Sequence, residues 1–257
     1  MSRNIFFYLI FSFFFLIFLS FKSYSADTLS LKKQSWTFSG LFGRYDTGSL
    51  QRGLQIYQEV CSTCHGLKRL RFRELEAIGF TNEQIKEYAS TFEIQDGPND
   101  QGEMYTRPGN PEDTFISPYQ NEQEARAAFN GSYPPDLSLI IKARKKGPDY
   151  TYSLLTGYVD PPNDLNLSDG LYYNPYIEGK IIAMPPPLYD AVIQYIDGTN
   201  PNLHQLTYDI VSFLNWVAEP ELEARKSLGL KVIIFLIILT SLFYVTMKNI
   251  WSRINNK

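Results

Sequence analysis

The sequence predicts an all-α domain with long loops, followed by one C-terminal helix that crosses a membrane. In the central part of the chain, apolar residues recur at helical spacing, and there is little of the period-2 alternation that is typical of strands. Near the C-terminus, residues 228–247 form an apolar run whose only charge is Lys231. At 1.5 Å per residue such a run is long enough to cross about 30 Å of hydrocarbon. Basic residues without acids follow it, as on the cytoplasmic side of a membrane.

The N-terminus has the layout of an export signal. Residues 5–21 are apolar and uncharged, Arg3 precedes them, and small residues follow at 23–26. This pattern predicts a secretory signal peptide over residues 1–25, with an uncleaved anchor as the alternative. A mitochondrial transit peptide would be Arg-rich and amphipathic, which this segment is not.

An export signal followed by a membrane helix divides the chain into four parts. Residues 26–222 are predicted to form a periplasmic domain, 223–248 the transmembrane anchor and 249–257 a short cytoplasmic tail. The alternative for the anchor is a buried helix of a soluble protein, whose core rarely needs so long an apolar run.

Two amphipathic helices are predicted to pack against each other. Leu50, Leu54 and Tyr57 recur at helical spacing, and Gly53 lies among them. Residues 205–217 carry a matching apolar stripe. Because glycine has no side chain, Gly53 would permit a close approach of the second helix.

Capping signals predict three further helices between these two. They begin at Thr81 with a Gln three residues later, at Asn121 with a Glu three residues later, and at Asp136. Residues 158–183 are rich in Pro, Asn, Gly and Tyr, which predicts a long ordered loop.

The two cysteines of the chain lie in the motif Cys61-Ser-Thr-Cys64-His65. This C-x-x-C-H spacing is typical of covalent attachment of one haem c, in which two thiols bind the vinyl groups and the adjacent imidazole binds the iron. A redox C-x-x-C pair and half of a zinc site are the competing interpretations. Zinc needs four ligands, however, and the only other histidine is His204.

A methionine opposite the histidine is the usual second axial ligand of an electron-transfer haem. Met1 leaves with the signal peptide and Met247 lies in the membrane run, so Met104 and Met184 are the candidates. Met184 precedes three prolines, which stiffen the backbone and favour it as the ligand. Core packing is the other interpretation of Met184.

Acidic residues are concentrated between Glu74 and Glu124, where twelve acids accompany only Lys86 and Arg107. Such a run is ordinarily a solvated surface. Beside a redox centre it would also steer a basic protein partner towards that centre. With a formal net charge of −3, we expect no nucleic-acid partner.

Five stretches of the chain, taken in order over residues 40–248, carry a more specific signal than C-x-x-C-H, which alone marks any c-type cytochrome. They are RGLQIYQEVCSTCHGL, EIQDGPNDQGEMYTRPG, EARAAFNGSYPPDLSLIIKAR, YYNPYIEGKIIAMPPPLYD and DIVSFLNWVAEPELEARKSLG. Together these stretches resemble the cytochrome c1 family, the haem-bearing subunits of the cytochrome bc1 complex (ubiquinol:cytochrome c oxidoreductase).

The resemblance implies an all-helical, cytochrome-c-like haem domain in a dimeric complex of the bacterial inner membrane, or alternatively of the mitochondrial inner membrane. It implies electron transfer from the Rieske iron-sulfur subunit to cytochrome c, with cytochrome b as a further partner. It also implies that Cys61 and Cys64 hold the haem, that His65 and Met184 are its axial ligands, and that Arg126 pairs with a propionate. For Arg126, an exposed helix pair with Glu122 is the alternative.

Two other functions are weighed against this one. A haem enzyme would need an open axial position and distal acid-base groups, whereas Met184 would close the iron and His204 is the only spare imidazole. We therefore expect an electron carrier rather than a subunit that itself converts a substrate. A stand-alone membrane-tethered c-type cytochrome shuttle would share every haem residue and differ only in its membrane partners.

Overall fold

The computed structural model describes residues 29–255, with side chains to residue 252. The predicted signal peptide, residues 1–25, lies outside the described residues. The helices are α1 (Thr47–Glu59), α2 (Asn82–Ser90), α3 (Glu122–Ala128), α4 (Gly147–Leu155), α5 (Leu203–Ala218) and α6 (Leu222–Asn255). Short 3₁₀ helices span Cys61–Thr63 and Phe72–Ile78, and the strands are β1 (Glu93–Asp96), β2 (Tyr105–Pro108), β3 (Tyr172–Tyr173) and β4 (Ile181–Ile182). The mostly helical fold confirms the predicted fold class.

The centre of the domain is the packed pair of α1 and α5. The predicted stripe on α5 is buried, and Tyr57 of α1 packs against Phe213 with ring centroids 6.3 Å apart. Gly53 marks the point of closest approach, since a Cβ atom there would lie 2.4 Å from both the carbonyl oxygen of Asp209 and the Cβ of Phe213. The prediction of this helix pair is confirmed.

A buried ion pair joins the same two helices. Asp209 on α5 is fully buried, and its carboxylate accepts hydrogen bonds from Arg52 Nε at 2.8 Å, Tyr195 Oη at 2.9 Å and Gln205 Nε2 at 3.0 Å. Arg52 also binds Asp197 at the surface, at 2.9 Å. Both oxygens of the carboxylate thus accept hydrogen bonds from protein donors, as a buried charge requires.

Two of the three predicted helix starts are confirmed. The Thr81 hydroxyl accepts a hydrogen bond from the amide of Gln84, whose side chain accepts one from the Thr81 amide, and α2 begins at the next residue. Asn121 accepts a hydrogen bond from the amide of Glu124 at the start of α3.

The prediction of a helix that begins at Asp136 is wrong. Residues 137–146 form successive turns, and the next helix, α4, begins only at Gly147. One oxygen of Asp136 does accept from the amide of Ser138, but the other accepts from the amide of Lys68, far away in the chain. The carboxylate therefore ties two loops together instead of capping a helix.

Two small antiparallel hairpins interrupt the helical fold. In the first, β1 pairs with β2 in the register Glu93 opposite Pro108 and Asp96 opposite Tyr105. The second pairs β3 with β4 inside the predicted loop of residues 158–183, which is therefore ordered around a hairpin.

The segment of residues 31–45 crosses the junction between the domain and α6. The backbone amide of Tyr45 donates to Glu223 at 2.8 Å, and Lys226 Nζ donates to the carbonyl oxygens of Phe38 and Gly43 at 2.6 and 3.2 Å. Trp36 stacks on Tyr208 of α5, with ring centroids 4.9 Å apart. We call residues 31–45 the N-terminal strap.

Helix α6 contains the predicted membrane run. It has 34 residues, which corresponds to about 51 Å at 1.5 Å per residue. Of the residues that the structure describes, Leu222–Ser252 is the one helical stretch long and apolar enough to span a membrane, and the domain buries no residue of its most apolar 18-residue window.

Candidate functional site

The C-x-x-C-H motif follows directly on α1. The amide of Val60 closes the helix on the carbonyl oxygen of Ile56, and a single 3₁₀ turn begins at Cys61. The carbonyl oxygen of Cys61 accepts from the amides of both Cys64 and His65, at 3.2 and 2.9 Å. Both thiols and the imidazole are thereby held on one tight turn.

The imidazole of His65 is fixed in one tautomer. Its Nδ1 lies 2.7 Å from the carbonyl oxygen of Pro135. A carbonyl oxygen can only accept a hydrogen bond, so Nδ1 carries the proton and Nε2 keeps its lone pair for a metal. Burial also lowers the pKa of His65, which keeps the ring neutral. The hydroxyl of Tyr57 on α1 donates to the carbonyl oxygen of His65 at 3.0 Å.

The loop that carries Pro135 is tied to the motif from both sides. The amide of Leu137 donates to the carbonyl oxygen of Gly66 at 2.9 Å, and Asp136 accepts from the amide of Lys68 at 2.9 Å. A Cβ atom on Gly66 would lie 3.1 Å from the Asp136 carboxylate, so a glycine allows this close approach. These contacts hold the Pro135 carbonyl within hydrogen-bond distance of Nδ1 of His65.

The thiols of Cys61 and Cys64 are both partly buried. Burial raises the pKa of Cys61 to about 12, with a smaller contribution from neighbouring Cys64, and burial also raises the pKa of Cys64. His204 lies elsewhere, with its Nδ1 2.6 Å from the hydroxyl of Tyr152. Within residues 29–252, no cluster of three or more His, Cys, Asp or Glu side chains is placed to hold a metal ion.

The two candidate methionines have different surroundings. Met184 follows β4, is partly buried, and its carbonyl oxygen accepts from the hydroxyl of Tyr158 at 3.1 Å. Met104 precedes β2, lies beside Gly97 and is 56% exposed. The segment around Met184 is therefore the better held of the two.

Arg126 lies on α3 and pairs with its own helix. Its guanidinium donates to Glu122 at 2.6 and 2.8 Å and to the carbonyl oxygen of Gly131 at 2.6 Å, and it lies over the ring of Tyr133. A cavity beside Cys64 is lined in part by Glu122 and Tyr133. The residues that hold Arg126 thus form part of the cavity wall next to the motif.

Sequence reasoning missed three groups that position the site: the Pro135 carbonyl and the hydroxyls of Tyr57 and Tyr158. A backbone carbonyl has no residue-specific signal, so the role of Pro135 cannot be deduced from residue type. The position of Tyr57, one helical turn before Cys61, was a usable signal, because that spacing places both residues on one helix face.

The donors on the C-x-x-C-H turn fit a covalently held haem. Cys61 and Cys64 offer two thiols on one turn, and His65 offers a neutral imidazole whose Nε2 can bind a metal. Met184 lies on a separate segment, whose backbone is fixed by Tyr158. The turn thus offers the groups for two thioether bonds and one iron ligand, and Met184 is the candidate for a second.

Comparison with known proteins gives one consistent result. The model of the Cytochrome C1 family matches residues 36–254. "Cytochrome c1" of Rhodospirillum rubrum is 48% identical over 244 residues, which cover 89% of this chain and 90% of that protein. "Cytochrome c1 1, heme protein, mitochondrial" of Arabidopsis thaliana is 47% identical over 224 residues, covering 86% and 72% of the two chains. "Cytochrome b/c1" of Bradyrhizobium diazoefficiens is 45% identical over 239 residues, covering 84% and 35%. A family match over most of the chain, together with relatives at this identity, shows that the chain belongs to the cytochrome c1 family.

Proposed function

We propose that the chain is the haem-bearing, electron-transfer subunit of a cytochrome bc1 complex. One haem c would be attached to Cys61 and Cys64, with His65 and Met184 as axial ligands of its iron. The observation that carries this proposal is the arrangement at His65, whose Nδ1 is committed to the Pro135 carbonyl so that Nε2 is left for a metal on the same turn as the two cysteines.

The bound haem would supply a one-electron centre whose potential is set by its axial ligands. The chain's own residues act by positioning. The hydrogen bond from Nδ1 to Pro135 fixes the direction of Nε2, and the bond from Tyr57 to the His65 carbonyl holds the backbone of the turn. The Tyr158 hydroxyl holds the backbone of Met184. No proton has to move at any of these atoms during electron transfer.

We place this subunit between a Rieske iron-sulfur subunit, as electron donor, and cytochrome c, as acceptor. Family membership supports this placement, and the printed name of the Bradyrhizobium relative joins cytochrome b and cytochrome c1 in one chain. Cytochrome b would therefore be the membrane partner, and the complex would be a dimer. The exposed acids of residues 74–124 suit a basic acceptor.

For the location, we propose the bacterial inner membrane, with residues 26–222 in the periplasm and 223–248 as the anchor. The long apolar helix α6 supports the anchor, and the export-signal pattern of residues 1–25 supports the orientation. Protease added to intact spheroplasts should therefore remove the haem-bearing domain. If the domain were protected from the protease, the orientation would be the reverse of the proposed one.

Arg126 is the residue of the proposed site that would have to change its partner when haem binds. We propose that it exchanges Glu122 for a haem propionate, because it lies on the helix that flanks the cavity beside Cys64. The pair with Glu122 is exposed on both sides and so contributes little to stability.

The proposal is tested with the purified protein after mild detergent extraction. A bc1 subunit should copurify with a cytochrome b and a Rieske protein, and quinol should reduce its haem in a reduced-minus-oxidised spectrum. A stand-alone shuttle would show the same haem but would elute without membrane partners and stay oxidised with quinol. Haem that survives acid-acetone extraction should vanish when Cys61 and Cys64 are both replaced by Ala.

A further inference from the structure

The loop of residues 39–43 exposes two large apolar side chains next to each other. Phe42 is 77% exposed and Leu41 is 55% exposed. Isolated apolar residues on a surface are ordinary, but two adjacent ones at a loop tip present a small apolar knob to solvent. We call residues 39–43 the strap loop, because they belong to the N-terminal strap.

The backbone of the strap loop is well held even though its tip is exposed. The amide of Ser39 donates to the carbonyl oxygen of Trp36, and that of Arg44 donates to the carbonyl oxygen of Thr37, both at 3.0 Å. Gly40 adopts a φ of +74°, in the left-handed region that favours glycine. The tip is therefore presented in a defined way and does not fold back onto the core.

Lys226 ties the strap loop to α6. Its Nζ donates to the carbonyl oxygens of Phe38 and Gly43, which flank the tip. One turn earlier in α6, Glu223 accepts from the amide of Tyr45, so the strap is fixed to the helix at two successive levels.

The height of Lys226 along α6 sets the height of the loop. Lys226 lies two residues before Leu228, where the apolar run begins, which is about 3 Å along the helix axis. A bilayer has about 5–7 Å of headgroup region on each side of its hydrocarbon core. The strap loop is thus held at the level of the headgroups, beside exposed apolar side chains of α6 such as Leu228.

We propose that the strap loop inserts Leu41 and Phe42 into the interface of the bilayer that α6 spans. The loop would be a second membrane contact, which prevents the domain from swivelling about α6. Exposed Arg44 flanks the tip and suits an anionic lipid headgroup. This inference rests on the proposed membrane anchor.

The test uses the full-length holoprotein in lipid nanodiscs that hold one copy in phosphatidylcholine and phosphatidylglycerol. With Cys61 and Cys64 bound to haem, an introduced thiol is the only reactive one. Leu41→Cys keeps Phe42 as the inserted side chain, and the rates of reaction with a charged maleimide and a lipophilic maleimide are compared. Ile196→Cys is the matched control, because Ile196 is 93% exposed and adjoins Tyr195, which contacts α5 far from its α6 end.

We expect the ratio of charged to lipophilic reaction at position 41 to be about tenfold lower than at position 196, a factor that corresponds to about 1.4 kcal/mol. Adding Phe42→Ser to Leu41→Cys should restore most of the reaction with the charged reagent. Equal ratios at positions 41 and 196 would overturn the inference. The inference would also be overturned if position 41 reacted in these nanodiscs and became protected only in the assembled complex. The loop would then dock on a protein and not on the bilayer.

Ile238→Cys separates this inference from the anchor on which it rests. Ile238 lies within the apolar run of α6, so the charged reagent should not reach it. If position 238 reacts freely, α6 does not span the bilayer and the anchor itself is wrong. If position 238 is protected while position 41 is not, the anchor stands and only the loop insertion fails.

Discussion

At the scale of single residues, the site depends on hydrogen bonds that fix the orientation of a side chain and leave one of its atoms for a ligand. In His65, Nδ1 donates to the Pro135 carbonyl oxygen, so Nε2 keeps the lone pair that can bind a metal. The sequence predicted His65 as a ligand from its position after two cysteines. It could not predict which nitrogen would serve, because the partner of the other nitrogen is a backbone atom 70 residues away.

The choice between the two methionines is tested by matched substitutions. Met184→Leu conserves volume and should cost less than about 1.5 kcal/mol of stability, yet it removes the thioether. The reduction potential should fall, the sulfur-to-iron charge-transfer band should disappear, and carbon monoxide should bind the ferrous haem. Met104→Leu should leave all three properties unchanged. A loss of the band in the Met104 variant alone would reverse the assignment.

The carboxylate of Asp209 is expected to be more important for stability than that of Asp197, although both bind Arg52. Asp209→Asn places an amide donor among the donors of Arg52, Tyr195 and Gln205, and should destabilise the fold by about 1–3 kcal/mol. Asp197→Asn should cost no more than about 1 kcal/mol, because that pair is at the surface. Denaturant unfolding of the two holoproteins measures the difference. Equal losses would show that burial of the pair is unimportant.

At the scale of elements, strong helical periodicity was the reliable signal. The pairing of α1 with α5 followed from two matching apolar stripes and Gly53, since a stripe must be buried against another element. The hairpin of β1 and β2 was not predicted, because strands of four residues with exposed charged side chains have too little alternation. The turns after Asp136 were missed because its carboxylate binds a distant amide, which no local pattern reveals.

The close crossing of α1 and α5 predicts opposite effects for one substitution at two glycines of α1. Gly53→Ala should destabilise the holoprotein by about 1–3 kcal/mol, because the new methyl group would overlap the backbone of α5. Gly48→Ala, in the first turn, would meet only the ends of the Arg52 and Asp46 side chains and should be neutral or stabilising by up to about 1 kcal/mol. Thermal unfolding of both variants measures this. A harmless Gly53→Ala would mean that the helices can separate freely.

The β1–β2 hairpin predicts a dependence of stability on pH. The Arg107 guanidinium lowers the pKa of both Asp113 and Asp96 below their ordinary value. The stability contributed by these contacts is therefore complete above the unfolded pKa of about 3.9 and is lost as the pH falls through the lowered folded values. Arg107→Gln should lower the denaturant midpoint at neutral pH and have little effect well below pH 3.

The control for this pH dependence is Arg73→Gln. Arg73 pairs with Glu112, and both side chains are largely exposed, so its replacement should change the midpoint little at either pH. An effect of Arg107→Gln that is the same at neutral and acid pH would show that its carboxylate partners do not cause it.

At the scale of the whole molecule, the proposed function makes the acidic surface the candidate docking site for a basic protein partner. The structure reduces the number of acids between residues 74 and 124 that could steer a partner. Asp96 and Asp113 are committed to Arg107, whereas Glu83, Glu87 and Glu93 are exposed. The exposed three are therefore the better candidates for steering a basic partner.

Replacing Glu83, Glu87 and Glu93 together by Gln should slow the reduction of a basic cytochrome c and flatten its dependence on salt. The reason is that long-range attraction speeds encounter and is screened within about 8 Å at 0.15 M ionic strength. Stopped-flow rates at several salt concentrations measure both effects. The control replaces the exposed residues Asp160, Asp164 and Asp169 by the corresponding amides, which removes the same charge at another place. It distinguishes an effect of where the charges lie from an effect of total charge. Equal effects of the two triple variants would show that total charge alone is responsible.

The pairing of α1 with α5 also has a consequence for the order of events as the chain is made. Arg52 and Asp209 are 157 positions apart, and the strap contact of Phe38 with Lys226 spans 188. At about 5–20 residues per second, the chain that carries the C-x-x-C-H motif waits roughly 8–30 s for its partner helix to be synthesised. During that interval α1 lacks its main partner helix, and an isolated helix of its 13 residues is marginal in water. If haem is attached at Cys61 and Cys64 as proposed, both thiols would be open to the attachment reaction during this interval, before α5 packs against α1.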